Sequence, residues 1–402
     1  MRGGAGVAQR HPDTAATPAG LTTGGLPDRE AGAVLGQYLR EEATAFLRAL
    51  APREGEPGRP QEDTADTGRQ MRRSARRIAG TLHTFGSLTD PGWADPLRGE
   101  LGWLTDTLGR EHRYAARLGR LIGALQRLAS AEDTAGIPAA PVPADDDLGL
   151  WLPVPPAPDP AAPAAPAEAP EPVTAAALAA GTRRSPAPPQ AGERGAGSGP
   201  LAVGAARAGA LLERQLTLAR TRAHSAALQA MGSSRFHAVV DAVAVLASEV
   251  PLSPAARKPA ATVLPLLAEQ AHARLTEAAA ALPLTRARHP YNGETLHAAL
   301  TGELPAERQD AAWNRVRVLL RLRRYAQEVL AYDDGESAAR LAAAARVLEQ
   351  HREAAEAAAA VTAAARTPRI APATAYALGV LHADQRLEAE AARYAFAHLW
   401  TR

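Results

Sequence analysis

Apolar residues recur along most of this chain at the three- and four-residue spacing that keeps them on one face of an α-helix. The run from Arg29 through AGAVLGQYLREEATAFLRAL carries that spacing and stops before the Pro and Gly of APREGEPGRP, which predicts a first helix. In GRQMRRSARRIAGTLHTF, residues 68 to 85, Met71, Ala75, Ile78, Leu82 and Phe85 fall within roughly 40° of one line at 100° per residue. They form a buried seam, and the arginines and His83 take the opposite arc. LTDPGWADP reads as a turn, followed by a long helix from about Pro96 to Leu128. The pattern resumes at about Ala202 in LLERQLTLARTRAHSAALQAM, continues after GSS in RFHAVVDAVAVLASEV, and returns past the break PLSPAARKPA in VLPLLAEQAHARLTEAAAAL. Further helices are predicted from about Ala311 to Leu330 and over roughly 336 to 365 and 371 to 399, with RTPRIAP between the last two. No stretch reads as a strand. The predicted fold class is all-α, built from antiparallel bundles with short connections.

Two segments break the pattern. Residues 1–28 are rich in Gly, Pro, Ala and Thr and predict a disordered tail. Residues 130–201, with PAAPVPADDDLGLWLPVPPAPDPAAPAAPAEAPEP at their centre, carry so much proline that helix interiors are blocked and amide donors are missing, which predicts a disordered Pro/Ala-rich insertion. The helical remainder divides into residues 29–129, residues 202–255 that complete the first half, and a second half over residues 256–402.

Composition narrows the chemistry. Aromatic residues make up only 4% of the 402, so the core is one of Ala and Leu in closely packed helices. The net charge is only +2, yet all basic residues except Lys258 are arginine, whose planar fork matches phosphate oxygens. There is no cysteine, hence no disulfide and no thiolate metal site. No apolar run suits a signal peptide or a membrane span, and the expected location is cytoplasmic. HPYNGETLH lacks the HExxH spacing, and neither a GxSxG elbow nor a GxxxxGK[ST] loop is present. The reading is therefore of a noncatalytic protein, with no metal site and no cofactor.

The positive charge is concentrated and repeated. Arg69, Arg72, Arg73, Arg76 and Arg77 fill five of nine positions, and no carboxylate occurs from Gly68 to Leu88, although like charges at i,i+3 and i,i+4 repel. An offset of 245 residues superposes Arg69, Arg72 and Arg76 on Asn314, Arg317 and Arg321 of WNRVRVLLRLRRYAQEVL, and Arg324 extends the second stripe by a turn. LGREHRYAAR, with His112 and Arg113, likewise resembles VLEQHREAAE, with His351 and Arg352. Each half thus has an arginine-stripe helix followed by a helix with a His/Arg turn.

In this order the motifs resemble the CHAD family, the conserved histidine α-helical domain. The resemblance rests on the two arginine stretches together with AGAVLGQYL, LGWLTDTLG, SSRFHAVVDAV, RRYAQEVL and the final AYALGVLHADQRLEAEAARYAFAHLW. It covers about 29 to 129 and 202 to 400. It implies two pseudo-symmetric antiparallel bundles about a central basic groove that binds inorganic polyphosphate, in members that are typically noncatalytic and sometimes granule-associated. Arg72 and Arg76 match the first family motif, and Arg317, Arg321, Arg324 and Tyr325 match the second. The chain diverges where Arg69 and Asn314 stand in place of the two motif histidines, where Ala79 replaces an arginine, and where Val318 and Leu322 stand in usually basic positions.

A linear polyphosphate presents repeated negative charge without bases or sugars, and rigid helices supply donors one turn apart to meet it. The candidate polyanion-binding set on the first-half helices is Arg69, Arg72, Arg73, Arg76, His83, His112 and Arg113. On the second-half helices it is Asn314, Arg317, Arg321, Arg324, Tyr325, His351 and Arg352. The expected partner is inorganic polyphosphate, including its granules, with no membrane. Two alternatives stand beside it: a nucleic-acid-binding protein, disfavoured because no exposed aromatics interleave the stripes, and a helical scaffold that has lost ligand binding.

Overall fold

The computed structural model describes residues 29–50, 60–135, 200–289, 297, 306–331 and 335–400. The expected tail and most of the expected proline-rich insertion lie outside the described residues. The helices are α1 (Ala31–Leu50), α2 (Pro60–Thr84), α3 (Pro91–Ala135), α4 (Pro200–Met231), α5 (Ser234–Ser248), α6 (Ala260–Ala280), α7 (Leu284–Arg288), α8 (Ala306–Leu330), α9 (Gly335–Ala365) and α10 (Pro372–Trp400). Short 3₁₀ turns at Gly86–Leu88 and Pro254–Arg257 join α2 to α3 and α5 to α6. The described residues contain no β-strand, only isolated bridges between Glu30 and Pro259 and between Thr89 and Leu252.

Four helix ends differ from the sequence reading. α3 starts at Pro91 rather than near Pro96 because Asp90 caps it: its carboxylate accepts from the Gly92 amide at 2.8 Å and its carbonyl from the Ala94 amide at 2.8 Å. Pro91 then occupies the first helical position, where no amide is needed, and Pro96 is carried inside the helix near its start. α8 starts at Ala306, a turn before Ala311. α3 runs on to Ala135 and α4 begins at Pro200, so both helices extend into the edges of the expected insertion.

The two halves repeat one packing scheme. α1 packs on α2, α2 on α3 and α3 on α4, while α6 packs on α8, α8 on α9 and α9 on α10. Across the halves like meets like: α2 touches α8, α4 touches α10, and α1 touches α6. The chain entering α1 and the chain entering α6 even exchange reciprocal hydrogen bonds, Ala31 N–H to Lys258 O and Ala260 N–H to Arg29 O, each 2.8 Å.

Three apolar clusters hold this arrangement. The largest joins Leu35, Leu39 and Phe46 of α1 with the predicted seam of α2, Met71, Ala75, Ile78, Leu82 and Phe85, all 0–1% exposed. At about 1.5–3 kcal/mol for each large side chain fully buried, this seam fixes the rotation of α2 about its axis. The face that carries Arg69, Arg72 and Arg76 must then point away from α1. A second cluster binds α3 and α4 to α9 and α10, and a third surrounds Trp313 of α8. Alanine and glycine permit the close approaches: a Cβ on Gly204 of α4 would lie 2.2 Å from the Ala373 carbonyl of α10.

Candidate functional site

With the apolar seam of α2 turned to α1, its opposite face looks across a groove of about 650 Å³ walled by α2, α3, α8 and α9. Arg69, Arg72, Arg73 and Arg76 come from α2, and Arg317 and Arg321 from α8. α3 adds Asp106, His112, Arg113, Arg117 and Arg120, and α9 adds Glu349, Arg352, Glu353 and Glu356. A second compartment of about 530 Å³ shares Arg76, Thr105 and Arg321 with the first and continues past His83, Arg98, Leu322 and Tyr325. Both sequence halves therefore contribute guanidinium groups to one continuous depression.

The arginines fall into two electrostatic classes. On α3 and α9 they are matched by carboxylates. Arg352 reaches Glu349 and Glu356 at 2.6 Å, Arg117 reaches Glu356 at 2.5 Å, Arg120 binds Glu388 with Glu353 at 3.6 Å, and Arg113 holds Asp106 at 2.6 Å. Arg317 of α8 pairs with Glu349 at 3.0 Å. Arg72, Arg73, Arg76 and Arg321, by contrast, make no ion pair among the described residues, and Arg72 spends its Nε on the Gly68 carbonyl at 3.2 Å.

Burial first, and crowding of like charge second, disfavour the charged forms of these groups. The Arg76 guanidinium is pushed down by desolvation between the groove walls and then by Arg321 opposite. Arg72 is lowered by desolvation and by Arg76, Arg113 and Arg69. Arg317 is lowered by desolvation, which Glu349 opposes and Arg321 reinforces. All stay charged near neutral pH, since an arginine begins from above 12. His112 is depressed by desolvation, Arg72 and Arg69, and His83 by desolvation, Arg98 and Arg274. An anion in the groove would offset the like-charge repulsion among these groups.

Not every residue singled out in the sequence lies on the groove wall. Arg69, Arg72, Arg73, Arg76, His112, Arg113, Arg317, Arg321 and Arg352 line the first compartment, and His83 and Tyr325 the second. Tyr325 is a wall residue only 4% exposed, its ring packed on Gly80. Arg324 and Asn314 do not line either compartment. Arg324 stands 3.6 Å from Glu328 and 5.6 Å from the Tyr325 ring centroid. His351 does not face the groove at all. It is 1% exposed, its ring tilted against that of Trp313 with centroids 5.7 Å apart, and its Nε2 lies 3.2 Å from both Asp310 and Arg393. There it helps tie α8, α9 and α10 together, with Asp310 also accepting from Arg386 at 2.8 Å and from Arg393 at 2.6 Å.

Arg77, the fifth arginine of the run, also turns elsewhere, donating to Glu328 at 2.8 Å with Glu42 at 3.4 Å. The residues that sequence reasoning missed are Arg117, Arg120 and the facing carboxylates. Arg113, Arg117 and Arg120 stand at i, i+4 and i+7, as do Glu349, Glu353 and Glu356, so the same spacing test exposes both rows.

Among the described residues no group of three or more metal-ligating side chains could hold an ion, and no helix is long and apolar enough to cross a membrane. Comparison with known proteins adds three findings. The family model for the CHAD domain matches residues 41–362. The solved structure of PptA from Streptomyces chartreusis is 45% identical with a TM-score of 0.64, over 93% of this chain and 100% of that one. No curated protein matches.

Proposed function

The chain belongs to the CHAD domain family, a family of noncatalytic binding modules, and on that premise we propose that it binds inorganic polyphosphate along the arginine groove. The observation that carries the reading is the pair Arg76 and Arg321. They come from opposite halves, stand on the wall common to both compartments, and make no ion pair among the described residues. Two cations held close in a partly desolvated groove repel each other, and a ligand with closely repeated negative charge removes that cost. Arg72 and Arg73 extend the row along α2, and His83 continues it into the second compartment, where Arg98 is already matched by Asp95 at 2.6 Å.

A concave, four-helix wall suits a thin flexible chain better than a rigid duplex, whose width calls for a broad convex or groove-entering element. The cellular partner under this reading is cytoplasmic polyphosphate, including its granules. The test is a titration with long-chain polyphosphate at two salt concentrations, with duplex DNA of matched total phosphate as competitor. Polyphosphate should bind, weaken as salt rises and outcompete DNA. Preferential binding of DNA selects the nucleic-acid reading, and no binding of either selects the scaffold.

A further inference from the structure

The groove holds its own counter-ions, and in the first compartment all of them but Asp106 of α3 stand on α9. Glu349, Glu353 and Glu356 share one face of α9 and meet the guanidinium groups of Arg317, Arg352, Arg117 and Arg120. Arg72, Arg73 and Arg76 of α2 and Arg321 of α8 make no such close pair among the described residues, and Glu349 acts on Arg76 and Arg321 only at longer range. A groove built only to attract anions gains nothing from acids in its wall, because every carboxylate repels the ligand and competes for an arginine.

We infer that Glu349, Glu353 and Glu356 are specificity-determining residues that confine the anion to the α2–α8 seam and so limit how many phosphates the groove engages, an inference that rests on the polyphosphate reading. Three physical steps support it. The pairs on α9 are charge-assisted and close, 2.6 Å for two of them, so an entering phosphate must displace a bound carboxylate rather than water. The displaced carboxylate stays in the groove, tethered to α9, and repels the phosphate that replaced it. On the opposite wall no displacement is needed, and binding there also removes the mutual repulsion of Arg76 and Arg321. The preferred path therefore runs along α2 from Arg72 to His83, eleven residues or about 16 Å of helix. A short chain covers that path, and a longer one finds a neutralised wall beyond it. The class of ligand favoured is an oligophosphate segment of a few units, whether free or part of a long chain.

The experiment is calorimetric titration of the full chain with tripolyphosphate and with long-chain polyphosphate, for the parent, for Glu349→Gln with Glu356→Gln, and for Glu353→Gln. Affinity of the parent should level off with chain length once the seam is covered. The double variant should bind the long chain about tenfold more tightly and tripolyphosphate less than threefold more tightly, with a salt dependence steeper by roughly one for each freed guanidinium. Glu353→Gln should gain about threefold for the long chain. Its nearest guanidinium contacts are loose, 3.6 Å to Arg120 and 3.9 Å to Arg352, so it decides the matter if melting shows the double variant to be unfolded. Weaker binding in the variants would mean that the carboxylates hold the arginines in their binding geometry, and unchanged binding would mean that they do not meet the ligand. Either result, with a parent that binds, overturns this inference alone, while a parent and variants that bind neither phosphate overturn the proposed function with it.

Discussion

Gly80 of α2 lies so close to Tyr325 of α8 that a Cβ built on the glycine would stand 2.5 Å from the ring carbon Cδ2. The two residues are also 245 positions apart, the offset that superposes Arg76 on Arg321, so the crossing of the stripe helices pairs equivalent positions of the two halves. A glycine on one side makes room for an aromatic ring on the other. That trade sets the separation of the two arginine rows.

Gly80→Ala tests this directly. The added methyl must push the buried Tyr325 ring, or the helix that carries it, out of place, and Leu322 at 3.2 Å blocks one escape. Overpacking of this kind costs about 1–3 kcal/mol, so the melting temperature should fall although alanine is the better helix former. Polyphosphate affinity should drop several-fold because the rows are forced apart. A variant with unchanged melting and binding would show that the crossing is loose.

The fold was legible where apolar and polar faces are distinct, and illegible where they are not. Met71, Ile78, Leu82 and Phe85 disclose the rotation of α2, and with it the direction of Arg72 and Arg76. α9 is alanine on nearly every face, so nothing in its sequence says that His351 turns inward to Asp310 while Glu349 and Arg352 turn to the groove. For the counter-ions it was the pairing that stayed hidden. The spacing of Glu349, Glu353 and Glu356 marks a row, but Arg117 and Glu356 are joined across 239 positions, and no spacing within a helix reveals a partner on another. LTDPGWADP, read as a turn, concealed the start of α3, since a proline such as Pro96 near the N-terminus of a helix removes little of its hydrogen bonding.

Binding should depend on pH through the groove histidines. In the empty groove His112 is held below its ordinary value by desolvation, then by Arg72 and Arg69, against the opposing pull of Glu353 and Glu111. A polyanion beside it neutralises those arginines and raises its pKa, so binding takes up a proton. Affinity should therefore rise as pH falls through the pKa of the complex and become level below that of the free protein. A shift of one unit corresponds to about a tenfold change. Titrations from about pH 5.5 to 8, in two buffers of different ionisation enthalpy, measure both the slope and the proton uptake, and His112→Gln should flatten the slope. Release of protons on binding would contradict the assignment of His112 to the ligand's path.

The contribution of the two halves can be separated by four substitutions, because neighbouring arginines on α8 differ in what they already hold. Arg321 makes no ion pair among the described residues, whereas Arg317, one turn away on the same face, is matched by Glu349 at 3.0 Å. Arg321→Ala should therefore weaken polyphosphate binding by the worth of a full charge-assisted contact, about 1.5–3 kcal/mol or roughly ten- to hundredfold. Arg317→Ala should cost clearly less, since its charge is partly spent within the protein. On α2, Arg72→Ala and Arg76→Ala should each resemble Arg321→Ala, and combining Arg76→Ala with Arg321→Ala should cost less than the sum if both contact the same phosphates. Melting temperature serves as the control with a sign of its own. Removing Arg76 or Arg321 relieves repulsion and should leave the fold as stable as the parent or slightly more so. If Arg317→Ala proves the more damaging of the α8 pair, the ligand runs along the α9 wall rather than the seam. If the α2 substitutions abolish binding while neither α8 substitution is felt, the site belongs to one half, and the shared groove is wrong.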